Sequence, residues 1–416
     1  MISHNKRIAA FLILLVFVVA SGCGGAATTS DSAGSNVSSS PSPVSSPFPT
    51  ATSTSTPIPT RVPFRARVPG SPFVHPGALN SQADLDFVKA QIAAGQNPWA
   101  RAFNEMKTYA IRNKNTTTAP MTESAQKLDG RRAYANALAW YYTGDVKYAK
   151  NAIGILNVWG TTFEGYPTAD GQNQLQGGWI GSLLGPAAEI MRGYSGWDPA
   201  DMAKVQTMFR EKFYPVLNTP STWNGNVDLT QIDAMLSIAV FNDDEAEFNL
   251  GLQRMEARFP AYFYLKSDGG VPAIAGDGGD INKFWNNPTL WVDGLTQETC
   301  RDNGHHTQFG LASALHAAEV AWNQGVDVYG QHSDRFVAAM ELMATQLLTG
   351  NMQGTCVNNF TTSDLYDTWE VGYNHYHNRM GIELPNTYTL ITTRVRQAGM
   401  NDWNIFYETL THAGEE

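Results

Sequence analysis

Gln308 to Asn323 reads Q-F-G-L-A-S-A-L-H-A-A-E-V-A-W-N. Its apolar residues recur at i, i+3, i+4 and i+7, which winds them onto one stripe of an α-helix and excludes a two-residue strand alternation. The same period returns in 83–94, 132–142, 146–159, 185–194, 201–213, 229–241, 245–258, 333–349 and 388–398. Alternating patterns are scarce, so the chain is read as all-α. Gly/Asn/Asp/Pro-rich stretches at 168–178, 218–228, 267–287 and 357–385 exceed ordinary connector lengths, and long ordered loops are where binding and catalysis concentrate. Helix pairs joined alternately by short and long loops suit a single (α/α) toroid with its long loops on one rim. No fixed sequence period marks a repeat array.

Outward from the helices, the N-terminus is a different kind of sequence. Met1 to Arg7 is basic, and Ile8 to Ala20 is an apolar run too short to span a bilayer comfortably. It reads as an export signal. Ala20-Ser21-Gly22-Cys23 looks like a bacterial lipobox, which makes 1–23 a lipoprotein signal with Cys23 as the lipidation site. Residues 24–64 are Ser, Thr and Pro with few charges or large apolar side chains, a composition expected to remain a disordered tether. From 65 to 416 the composition is globular without a second shift, the expectation for one catalytic domain. The expected location is extracytoplasmic, held to the cell envelope by the lipid at Cys23 or secreted, as a monomer.

With 28 Lys and Arg against 38 Asp and Glu, the formal charge is −10, which argues against nucleic acid as a partner. An anionic ligand would need a local basic site. Cys300 and Cys356 could pair outside the cytoplasm or stand as two thiols; spacing does not decide. One segment supplies the basic site: E-T-C-R-D-N-G-H-H-T-Q-F-G, 298–310, sets Arg301, Asp302, His305 and His306 directly before the helical pattern of 308–323. Arg301 and His305 share a face if the helix has begun there.

H-P-G-A-L-N-S at 75–81 with Asn97-Pro98-Trp99, W-N-G-N-V-D at 223–228, E-T-C-R-D-N-G-H at 298–305 with G-V-D-V-Y at 325–329, and W-E-V-G-Y-N-H-Y-H at 369–377 together resemble the alginate-lyase-type domain of bacterial polysaccharide lyases. The resemblance runs from His75 to the end. It implies an (α/α) toroid, an incomplete six- or seven-hairpin barrel, that cleaves a uronic-acid polysaccharide such as alginate, polymannuronate or glucuronan by β-elimination, without a cofactor. That chemistry needs donors that neutralise the uronate carboxylate, a base for the C5 proton and an acid for the departing O4. The resemblance then implies Asn226, Arg301 and His305 around the carboxylate. Tyr376 or Tyr373 is the expected base and acid, with Asn224, Trp223, Trp179, Gln308, His306 and His375 as substrate contacts. The best-known alginate lyases of this kind carry His where Val227 stands and Tyr where Gln308 stands, which points to a sister family acting on glucuronan or another uronan.

Other readings remain open on the residues. Asn224 and Asn226 suit turns and caps, and the histidines and tyrosines suit packed loops. A glycoside hydrolase on the same toroid would draw a carboxylate pair from Asp228, Asp233, Asp277, Asp280 and Glu298, and a glycan-binding lipoprotein would keep the exposed aromatics without turnover. Glu298, Asp302, His305 and His306 have metal-ligand atoms, but Arg301 among them would repel a cation, so no metal is expected. G-x-S-x-G and phosphate-cradling glycine loops are both missing from the sequence.

Overall fold

The N-terminal caps show how local sequence sets the helix starts. Asp145, Asp198, Asn224 and Asp244 each accept a backbone N–H from the first turn of the helix they precede, and Pro199 follows Asp198 at the first helical position. In the computed structural model, residues 67, 69–111, 123–275, 280–302, 304–357, 365–398 and 407–414 are described. The expected signal, Cys23 and the tether lie outside them. All described residues fall in one compact unit, 59–416, and none of their helices is long and apolar enough to cross a membrane.

Helix α1 (Gln82–Ala93) leads into a series of hairpins. α2 (Trp99–Ile111) precedes α3 (Glu123–Thr143), and α4 (Val146–Thr162) precedes α5 (Gly171–Met191). α6 (Pro199–Met208) continues through a wider π-type turn into α7 (Tyr214–Leu217) before α8 (Gly225–Asn242). α9 (Glu245–Arg258) and the short α10 (Ile281–Phe284) precede α11 (His305–Asn323). α12 (Val328–Gln331) and α13 (Ser333–Thr349) precede α14 (Glu370–Tyr373), which runs on as a π-type segment to Arg379. α15 (Pro385–Leu390), α16 (Arg396–Ala398) and α17 (Glu408–Thr411) follow. Among the described residues there are no β-strands, only two isolated bridges.

Side-chain pairings give the inner ring its direction. Lys127 lies over Trp179, and three residues on Gly130 faces Leu183, so α3 and α5 run parallel. Gly178 meets Thr230 and Gly185 meets Ser237, which makes α5 and α8 parallel. Thr230 bonds Ser313 and Asp233 faces His316, which adds α11. Tyr366, Gly372 and Arg379 meet Gln308, Leu315 and Glu319 in order, which adds α14. The five inner helices therefore point one way and gather their positive N-terminal ends on one rim. The toroid read from sequence is the observed fold, and the connections 163–170 and 218–224, with the described parts of 259–304 and 350–369, lead into the helix starts on that rim.

Two stretches expected as loops contain helix. In 168–178, helix α5 begins at Gly171. Its glycines resemble loop punctuation, but they serve close approach: a Cβ on Gly178 would lie 2.8 Å from the Thr230 carbonyl carbon, and one on Gly177 would lie 2.7 Å from Val216 Cγ1. In 357–385, α14 and its π-type continuation occupy 370–379 and bury Tyr373, His375 and Tyr376.

Residues 407–413 join the first elements to the last. Tyr407 stacks against Tyr134. Trp99 Nε1 donates to Ala413 O at 3.1 Å, and His412 Nε2 lies 3.1 Å from Leu79 O. Glu408 accepts from His316 Nε2 at 2.6 Å and from the Val371 N–H at 3.0 Å. Burial works against charge on His316, but Glu408 and Asp233 outweigh it and hold its pKa at about 9.

Candidate active site

The N-terminal ends of α8 and α11 bring one group of sequence candidates together. Asn224 caps α8 by accepting the Val227 N–H at 3.3 Å, which places Asn226 in the first turn, 1% exposed. Gly304, at φ +90°, starts α11 in a conformation that favours glycine. His305 and His306 follow in its first turn. Asp302 accepts the His306 N–H at 3.1 Å and also contacts its Nδ1, and despite burial these bonds hold the Asp302 carboxyl below its usual range. His306 is thereby a partner of the helix start.

Between the two helix ends sits Glu298, 1% exposed. Its Oε1 accepts from Asn226 Nδ2 at 2.6 Å and from Arg301 Nη1 at 3.2 Å, and its Oε2 accepts the Tyr262 hydroxyl at 2.6 Å. Two glycines make room for Tyr262: a Cβ on Gly310 would lie 1.9 Å from its hydroxyl oxygen, and one on Gly225 would lie 2.5 Å from its ring. Burial raises the Glu298 carboxyl to about 7 against the pull of Tyr262, His306 and Arg301. Because this lies above the unfolded value, the contribution to stability is complete below the ordinary carboxylate range and is lost as pH rises through about 7. The ionised form, which attracts Arg301, is the one the fold tolerates less.

His305 meets Tyr366. The Tyr366 hydroxyl contacts the imidazole at Nδ1, and the two rings sit edge to face at 5.4 Å. Gln308 sets this pair: it is fully buried, donates to Gly304 O at 3.1 Å and accepts the Tyr366 N–H at 3.2 Å. Gln308 is a brace between α11 and the segment before α14, where a substrate contact was expected.

The structure corrects the expected base. Tyr376 is fully buried and donates to Tyr329 O at 3.1 Å; its pKa is raised well above the ordinary value by that burial. His375 stacks on Tyr329 at 3.8 Å, packs edge-on against Trp322 and is pushed down to about 3 by burial and by Arg379. Trp322 is 17 residues beyond His305 on α11, about 25 Å along the axis at ~1.5 Å per residue. His375 therefore belongs to the opposite end of the ring. Tyr373, 8% exposed, stacks on His377, and its neighbour Gly372 faces Leu315, well down α11 from Arg301.

Trp179 is also corrected. It is 2% exposed, packed against Phe309 at 5.6 Å with Lys127 Nζ 4.2 Å from its ring centre, so its face does not offer a sugar platform. Trp223, 50% exposed, stays on the rim two residues before α8. Sequence reasoning missed Tyr262 and Tyr366 entirely, gave Glu298 only as a hydrolase or metal candidate, and passed over Lys127. The available signal was position: Tyr366 and Lys127, like Asn226, lie at or just before the start of an inner helix.

Three of the carboxylates reserved for a hydrolase are engaged elsewhere. Asp228 accepts from Arg254 and from Arg258 Nε, the latter at 2.7 Å. Asp233 faces buried His316, Asp280 caps α10, and Asp277 lies outside the described residues. Asp84, Glu319 and His412 cluster closely enough to suggest a cation, but the Arg379 guanidinium sits there, 2.8 Å from Glu319 and 3.6 Å from Asp84.

Cys300 and Cys356 form a disulfide with Cα atoms 5.4 Å apart, closing 56 residues of chain next to Arg301. Loop-closure entropy assigns such a link about 4 kcal/mol. The double variant Cys300→Ser/Cys356→Ser is expected to lose stability of that order in guanidinium unfolding. A loss under ~1 kcal/mol would remove the disulfide from the account of stability.

Residues 80–273 match the family model described as alginate lyase. This segment, just under half of the chain, is alginate-lyase-like. The family that this segment matches is one of polysaccharide lyases. The matched residues of this lyase domain include Asn226 and Tyr262 and end before Glu298. No curated protein sequence matches the chain.

Among solved structures, a His-to-Ala variant of alginate lyase A1-III complexed with a tetrasaccharide is similar at a TM-score of 0.60 and 13% identity, over 82% of this chain and 96% of that one. Alginate lyase A1-III from Sphingomonas species A1 gives 0.58 at 13%, over 81% and 96%. An alginate lyase from Bacteroides ovatus gives 0.54 at 12%, over 82% and 100%. At these identities the likeness speaks to the fold of the lyase domain.

Proposed function

We propose that the lyase domain cleaves a uronic-acid polysaccharide, alginate or a related uronan, by β-elimination at the rim where α8 and α11 begin. The observation that carries this is the convergence of the Asn226 amide and the Arg301 guanidinium on one carboxylate, that of Glu298. Each keeps further N–H groups for a second carboxylate, and the helix ends around them favour negative charge. A C5 proton becomes removable only when the adjacent carboxylate can accept the developing charge, which is the work these donors suit.

His305 is the base in this reading. Its ring is part-exposed and held by Tyr366, whereas Tyr376 and Tyr373 are enclosed away from Arg301. Imidazole takes the C5 proton, the C4–O4 bond breaks, an alkene forms between C4 and C5, and the protonated ring can return a proton to the departing O4. Trp223 offers its exposed indole to a neighbouring sugar ring.

We place the activity outside the cytoplasm, on a lipid anchor at Cys23. The signal-like N-terminus supports this, as does the Cys300–Cys356 disulfide, a bond typical of oxidising compartments.

The test is ultraviolet absorbance of the conjugated alkene on alginate, polymannuronate, polyguluronate, glucuronan, hyaluronan and pectate. A rise on at least one uronan is expected. Reducing ends without absorbance would replace elimination by hydrolysis, and binding without either would leave a glycan-binding protein.

A further inference from the structure

Asn226 and Arg301 come from separate segments, the first turn of α8 and the loop before α11. Glu298 bonds to both: its Oε1 takes the Asn226 amide at 2.6 Å and Arg301 Nη1 at 3.2 Å. The carboxyl is held in turn by Tyr262, whose ring is wedged between the backbones of Gly225 and Gly310 and whose hydroxyl reaches Oε2 at 2.6 Å.

We propose that Glu298 is a positioning residue that sets Asn226 and Arg301 in common register for the substrate carboxylate, and that its ionisation switches this arrangement. The inference rests on the elimination reading above and adds a control on the same site. An ionised Oε1 attracts the guanidinium and accepts both donors; a protonated carboxyl gives up the charge attraction and frees Arg301 to turn toward water. The groups facing Glu298 are Tyr262 from the segment after α9, Asn226 from α8, His306 from α11, and Arg301 and Asp302 from its own loop. Burial, which raises its carboxyl to about 7, puts the change within the working range of an enzyme. Activity should therefore fall on the acid side of neutrality.

The experiment follows the pH profile of kcat/KM for the wild type, Glu298→Gln and Tyr262→Phe on the uronan that wild type cleaves. Glu298→Gln keeps the shape and an acceptor oxygen but has no ionised form. It is expected to fall about 10–100-fold at neutral pH, the scale of a misplaced binding group, and to keep only the shallower, single-proton acid limb that His305 imposes as the base. Tyr262→Phe keeps the ring between the two glycines and removes only the donor to Oε2, so its acid limb should move to higher pH.

An acid limb unchanged in Glu298→Gln would overturn the proposal at any rate of turnover, because the limb would then belong to another group such as His305. Wild-type kcat/KM in Glu298→Gln would also overturn it. If that variant fails to fold, an unmoved limb in Tyr262→Phe does the same. Wild-type protein that forms no alkene on any uronan would overturn the elimination reading, and this inference with it, whereas failure confined to the variants leaves that reading intact.

Discussion

Arg301→Ala is expected to lower kcat/KM at least ~100-fold on the uronan that wild type cleaves, with the fold retained. The magnitude is that of removing one preorganised donor from a site where charge develops in the transition state. Retention of the fold follows from the surroundings. The Arg301 side chain is 30% exposed, and its removal leaves Glu298 with Asn226 and Tyr262. Arg301→Lys should restore only part of the loss, because an ammonium keeps the charge but lacks the planar fork that meets a carboxylate with two parallel bonds. Initial rates of alkene absorbance, with circular dichroism as the control for folding, decide the matter. Wild-type turnover in Arg301→Ala would sink the site assignment.

Asp228→Ala should act in the opposite way, on stability. Asp228 follows Asn226 by two residues in the first turn of α8 and holds Arg254, 9% exposed, and Arg258, fully buried. Arg258 also donates to Ala275 O at 3.1 Å, and Arg254 to Leu217 O, so the carboxylate lies at the centre of a network joining α7, α8, α9 and the loop beyond. Removing one partner from a buried ion pair leaves charge without compensation and costs about 3–5 kcal/mol. The denaturation midpoint should fall accordingly. A loss within ~0.5 kcal/mol would show that water or another acceptor replaces Asp228 readily. Asp228→Asn, which keeps an acceptor, is expected to fall between the two.

The fold was legible in the sequence because helical period depends on local spacing. The pattern in 308–323 could be read without knowing what it packs against, and it corresponds to α11 almost residue for residue. Capping residues such as Asn224 were equally local. The start of α5 was not legible. Gly177 and Gly178 look like turn residues until Val216 and Thr230, from later helices, are seen within 3 Å of where a Cβ would stand.

The site divides along the same line. Arg301, His305 and His306 could be grouped because they share one turn, and Asn226 because its loop opens a helix. Tyr366 and Tyr262 enter through tertiary contacts across 61 and 36 residues, to His305 and Glu298, and no short-range pattern announces them. Tyr376 and His375 misled for a related reason. A polar, aromatic run such as G-Y-N-H-Y-H looks the same whether its side chains meet a ligand or pack against Tyr329 and Trp322.

The bonds made by residues 407–413 have a consequence for the timing of synthesis. Trp99 is joined to Ala413 across 314 residues, and His412 to Leu79 across 333. At ~5–20 residues per second, about a quarter of a minute to a minute separates the two ends of each bond on the ribosome. Throughout that interval Leu79, Trp99 and Tyr134 lack the partners that 407–413 supply. Pairings this distant in sequence are the slow part of folding, so the ring closes only after Ala413 is made, and the first hairpin is the last to be sealed.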